Sequence, residues 1–132
     1  MAKWCDEGET NVLNIYLKNQ AQNANLYLGL YTNSVEPAED ATLASLTEPS
    51  GNGYGRQTIA PGDWTVSPSD TATAAQKTFT ASGGAWGNVY GYFIATSVDG
   101  TGKLLCVEHF TNGPYNVQDG GSVKVTPKIV CA

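Results

Sequence analysis

The residues that could do chemistry are few: His109, the thiols Cys5, Cys106 and Cys131, and carboxylates such as Asp63, Asp70 and Glu108. A Ser or Cys nucleophile needs an imidazole beside it, and His109 is the only histidine of the chain. Cys106 lies three residues away on the opposite strand parity, so the two side chains point to different faces. A zinc centre needs several His and Cys ligands at recurring short spacings, which one histidine and three dispersed thiols do not supply. The three cysteines are an odd number with no Cys-x-x-Cys pair and read as plain, mostly buried thiols. His109 shares parity with Leu105 and Val107 and reads as a packed or rim histidine. The carboxylates of Asp63, Asp70 and Glu108 would serve glycoside hydrolysis only if folding brought two of them together across a bond. Gly51, Gly53 and Gly55 are spaced like a phosphate loop, but no helix pattern follows them, so a sharply turning backbone is the better reading. The expectation is a chain that is not an enzyme and takes no cofactor and no metal.

A second group of residues suits contact. Trp64, Trp86, Tyr54 and Tyr115 lie in or beside turn-rich segments, where an aromatic ring either closes the end of a small β domain or anchors an interface. With Arg56 they form the candidate interface set.

The elements that must position these residues follow from periodicity. Val12, Leu13, Tyr16 and Leu17 recur at helical offsets, with Ile15 widening the stripe, and predict one short amphipathic helix over residues 10–20, capped by Asp6 or Thr10 and ended by the run Asn23 to Asn25. Residues 26–32 alternate strictly, with Leu26, Leu28 and Leu30 on one face and Tyr27, Gly29 and Tyr31 on the other. Residues 33–53 form the longest connection, broken by Pro37, Pro49, Gly51 and Gly53, with room for one helical turn at residues 42–47. Extended segments follow at residues 54–59, at Trp64 and Val66, and at residues 77–80, with Pro61, Gly62 and Asp63 turning the chain between the first two. Residues 88–96 read as one central strand, apolar on both sides. A tight connection at residues 98–102 leads to a return strand over 104–110, because Asp99-Gly100 tolerates the dihedrals of short hairpin loops. A last strand spans residues 122–131, with Val123, Val125, Ile129 and Cys131 inward, and Pro127 implying an edge or a bulge. These elements predict a mainly β fold, an antiparallel β-sandwich or small barrel with one short N-terminal α-helix, forming a single domain over residues 1–132.

Composition bounds the partners. The 132 residues include 41% hydrophobic and 14% charged side chains, enough for a real core and far from a disordered composition. Seven basic against twelve acidic residues give a formal charge of −5, and the scattered Lys and Arg do not form the clustered face that nucleic acid requires. The N-terminus lacks the apolar core of a signal peptide and no stretch is long enough to span a bilayer, so no membrane partner is expected and synthesis falls in a cytoplasm.

The order of motifs adds a resemblance. A short helix is followed by LYLGLYTN ending at Asn33, TLASLTE ending at Glu48, GYGRQ ending at Gln57, GAWGNVYGYF ending at Phe93 and VKVTPKI ending at Ile129. This series resembles small virion proteins of tailed bacteriophages over most of the chain. The resemblance implies a structural component of the particle, first of all a capsid decoration or cement protein on the exterior of the lattice, assembled in the host cytoplasm. Its partners would be the major capsid protein, copies of itself as a homo-oligomer on the particle, or both. Residues 33–55, with Tyr54 and Arg56, would then make a principal contact with the shell or a sister subunit. One alternative keeps the virion and moves the chain to the tail, as a fibre or adaptor component. Another is a carbohydrate-binding module using Trp64 and Trp86 as a stacking platform.

Overall fold

The computed structural model describes residues 2–131. In chain order the elements are β1 (Lys3–Trp4), α1 (Asp6–Lys18), β2 (Leu26–Tyr31), β3 (Gln57–Ile59), β4 (Trp64–Ser67), β5 (Thr71–Ala74), β6 (Lys77–Thr80), β7 (Gly87–Val89), β8 (Gly91–Ala95), β9 (Leu104–His109), β10 (Tyr115–Val117), β11 (Ser122–Val125) and β12 (Lys128–Val130). The largest sheet has the order β1-β9-β8-β2-β3. A three-stranded sheet β12-β5-β4 and the ribbons β10-β7 and β11-β6 complete the fold, and every named pairing is antiparallel. The architecture is mainly β and sandwich-like.

The alternation of β2 explains why the large sheet is covered on both sides. Leu28 and Leu30, with Ile59, Tyr92, Ile94 and Cys106, face one core that Phe79, Val89, Val117, Val123, Val125 and Ile129 close from the smaller sheets. Tyr31, Phe93, Ala95 and Val107 face the opposite way, into a second cluster with Cys5 and with Leu43 from the long connection. Fully burying each large side chain of these clusters contributes roughly 1.5–3 kcal/mol. Gly29 has to be small because a Cβ there would lie 2.3 Å from the Phe93 ring.

Several expected boundaries move. The stretch expected as one strand over residues 88–96 is two strands in different sheets: β7 pairs with β10, and β8 pairs with β2 and β9. Between them Tyr90 turns its backbone to new partners, donating N–H to Tyr31 O and accepting from Phe110 N–H. The stretch expected as one strand over 122–131 is likewise two, because Pro127 has no amide for a ladder and the chain passes there from the β6 ribbon to β5. Val123, Val125 and Ile129 are buried as expected, whereas Cys131 lies past the end of β12 and is exposed. The Thr/Ala segment at Thr71–Ala74 and the short Tyr115–Val117 are strands that periodicity did not indicate. Leu43–Ser45 forms the helical turn expected within residues 42–47, as a 3-10 turn.

Helix α1 starts four residues earlier than its apolar stripe indicates and ends at Asn19, whose left-handed backbone (φ 56°) closes it before the expected Asn-rich stop. Cys5 occupies the N-cap without a side-chain cap bond. The helix lies against β9 through small and polar groups. Gly8 is buried there, and a Cβ on it would lie 2.3 Å from Leu105 O. Glu7 Oε2 accepts the Leu104 N–H at 2.9 Å.

Candidate functional site

The five candidate interface residues do not gather into one patch. Tyr54 and Arg56 stand at the edge of the large sheet, where β3 stops pairing with β2 at Leu28 and leaves Leu30 N–H without a strand partner on that side. Tyr54 Oη replaces the missing strand: it accepts Leu30 N–H at 2.9 Å and donates to Glu48 Oε1 at 2.6 Å. Glu48 then takes the Arg56 guanidinium in a two-pronged ion pair, Nε to Oε1 at 3.0 Å and the second nitrogen to Oε2 at 2.8 Å. The remaining guanidinium nitrogen donates to Ser97 O at 2.8 Å, and the group sits 5.1 Å from the centre of the Phe93 ring. Only 6% of the Arg56 side chain is exposed. Burial opposes the charged guanidinium, but the Glu48 carboxylate outweighs it and holds the Arg56 pKa above its ordinary value. Burial also pushes the Tyr54 hydroxyl upward, helped by its bond to Glu48. Arg56 is therefore a clamp joining the long connection to the 97–99 loop, with its charge turned inward.

Trp86 is likewise engaged inside the fold. Its Nε1 donates to Asn52 O at 3.0 Å, and its ring meets Tyr54 edge to face at 5.5 Å, while Tyr54 stacks on Phe79 at 6.1 Å. Tyr115 is exposed and packs edge-on against Phe110 at 5.1 Å, beside a groove of about 680 Å³ that Glu108, Asn116 and Lys124 also line. Trp64 lines a different groove, of about 310 Å³, between α1 and the start of β4.

His109 lies between two tyrosines, with Nδ1 2.9 Å from Tyr31 Oη and its ring 6.0 Å from that of Tyr90. Tyr31 is fully buried, and burial raises its pKa. Asp63 is spent on the Ala60 N–H and on Lys77 Nζ, which together hold its pKa below the ordinary carboxylate range. Among the described residues no group of three or more His, Cys, Asp or Glu is placed to hold a metal ion. Cys5 and Cys106 are buried, and burial pushes the Cys5 thiol up to about 11 and raises Cys106 as well, so both are poor nucleophiles at neutral pH. Cys131, expected inward, is the thiol open to solvent.

The surface that sequence reasoning did not locate is the outer face of α1. The helix turns its small and polar side to β9, so the apolar stripe points outward: Val12 is 44% exposed, Leu13 56%, Leu17 70% and Tyr16 86%. Its amphipathicity was legible in the stripe itself; the signal that could have shown its direction was Gly8 among the acidic residues of the first turn, the small residue that lets a helix backbone approach a strand.

Fold and surface together give a mainly β, sandwich-like chain that carries an outward apolar helix face. The family model described as podophage GP4 fiber I protein gp80 matches residues 3–130, nearly the whole chain, and the chain belongs to that family. It is a phage virion structural protein. A comparison with curated proteins finds no match.

Proposed function

We propose that this chain is a non-enzymatic component of the fibre or tail of a podophage virion, working through surfaces that neighbouring subunits cover. The observation that carries this reading is the family match over residues 3–130, which is to a fibre protein and favours the tail alternative over decoration of the capsid. The structure supports an interfacial role in two ways. The groups that resemble reactive ones, His109, Cys5, Cys106 and Asp63, are spent on packing and internal bonds. A double-sided core meanwhile presents an outward apolar helix face.

The test is a phage with the gene inactivated. Particles should retain filled heads of normal stability while lacking a tail or fibre feature and adsorbing poorly. Intact fibres on heads that leak or burst would contradict the proposal and return the chain to the capsid.

A further inference from the structure

We propose that the groove between β10 and β11 is a binding site for a neutral sugar chain, separate from Trp64 and Trp86. The inference stands on this groove alone and holds wherever on the particle the chain is placed. Among the described residues β10 pairs with β7 alone and β11 with β6 alone, so no ladder closes the space between the two ribbons, and the end of β9 brings Glu108 into it. Its volume of about 680 Å³ lies within the range of small-molecule sites. Three rings lead into it from the core. Tyr92 is buried, and its hydroxyl accepts the Lys128 N–H at 3.3 Å. Phe110 packs against Tyr92 with ring centres 6.3 Å apart, and Tyr115 meets Phe110 edge to face at 5.1 Å. Tyr115 itself is 42% exposed. It is an aromatic surface held from behind, which loses little freedom when a ligand covers it.

The polar groups of the groove decide what covers that ring. Among the described residues that line it, half-buried Glu108 is the one carboxylate and Lys124 the one cation. A cationic ligand would meet Lys124 and an anionic one Glu108, whereas a hydroxyl donates to a carboxylate and accepts from an ammonium. Asn116 adds an amide fixed by Asn88, to whose Oδ1 its Nδ2 donates at 2.9 Å, and by Gln118, whose Nε2 donates to its Oδ1. The second N–H and the second lone pair of that amide remain for a ligand. A pyranose ring meets all of these requirements at once, with a C–H face to lie on Tyr115 and a rim of hydroxyls that both donate and accept. An apolar peptide segment would cover Glu108 and Lys124 without giving either a hydrogen bond, which is costly for charged groups. Glycoside hydrolysis needs a second carboxylate flanking the bond, so the groove binds and does not cleave.

The test is a titration of the purified chain with neutral oligosaccharides built from hexose, deoxyhexose and N-acetylhexosamine units, followed by NMR of backbone amides and aromatic rings. At least one of them should shift the Phe110, Tyr115 and Asn116 signals and saturate with a Kd on the order of 1 mM or below. Tyr115→Ala should weaken that binding by about tenfold or more, the loss of a central aromatic anchor. Tyr115→Phe keeps the stacking face and should bind nearly as the parent does. Val98→Ala, at an exposed apolar site on the 98–102 loop, should leave binding unchanged. If Tyr115→Ala fails to fold, Lys124→Met at an exposed position of β11 takes its place and should weaken binding. No shift with any member of the panel, shifts confined to the surroundings of Trp64 or Trp86, or a folded Tyr115→Ala or Lys124→Met variant that binds as the parent does would each overturn the proposal. A segment of a neighbouring virion protein seated between β10 and β11 in particles would also overturn it, and make the groove a protein contact.

Discussion

Arg56→Ala is expected to lower stability by about 2–3 kcal/mol, because it strands a largely buried carboxylate and a carbonyl that now share one guanidinium. The loss falls below the roughly 3–5 kcal/mol of a fully buried broken pair, since 24% of the Glu48 side chain still reaches solvent. For a chain of this length that is a fall in Tm of roughly 10 °C. Denaturant unfolding followed by tryptophan fluorescence would measure it, and the slope of the transition should not change. Arg56→Lys should recover only part of the loss: an ammonium supplies the charge but not the planar fork that meets Glu48 with two nitrogens and Ser97 O with a third. A loss below about 0.5 kcal/mol would mean that the clamp behaves as an ordinary surface pair.

Gly91→Ala should be at least as damaging, with a loss of about 3 kcal/mol or failure to accumulate folded protein, the upper end of what overpacking costs. A Cβ at Gly91 would lie 2.1 Å from Glu108 O and 2.3 Å from Tyr31 Oη. The first neighbour is backbone of the paired strand β9 and cannot yield without opening the ladder. The second belongs to a fully buried ring whose hydroxyl is held at His109 Nδ1. The small gain from restricting the unfolded chain, about 0.4–1 kcal/mol, cannot offset that clash. Gly62→Ala is the matched control. No atom crowds its Cβ position, and the same entropic gain should leave it neutral or slightly stabilised. Thermal unfolding of the two variants side by side gives the comparison.

The same local facts show what could be read from the sequence. The alternation of Leu26 to Tyr31 gave a strand covered on both faces because the period of a strand is directly visible in its side chains. The return from β8 to β9 was legible through Asp99-Gly100. The break at Tyr90 was not, because residues apolar on both sides of the chain carry no mark where one sheet is exchanged for another. Pro127 did mark a break, yet its reading as an edge or bulge missed that the chain changes partners there. Thr71 to Ala74 lacks bulky alternation and is a strand because β4 and β12 lie on either side of it.

The candidate site was legible in its residue types more than in its arrangement. Tyr54 and Arg56 stood out, but their inward role depends on Glu48 and on the carbonyl of Ser97, 41 residues from Arg56, and spacing in a single sequence does not connect such partners. Trp86 is drawn toward Tyr54 and Asn52 by contacts of the same non-local kind. For α1 the pattern of apolar residues was clear, while the direction in which it faces depends on Gly8 meeting the backbone of β9, nearly a hundred residues away. Periodicity tells that a helix has an apolar side; only packing tells whether that side belongs to this chain's core or to a neighbour.

The most direct test of the account is a density map of intact virions into which this fold is placed. It should fit in the tail or its fibres, at far fewer copies than the shell subunit. Density for it repeated over the outer surface of the head lattice, in proportion to that subunit, would contradict the account.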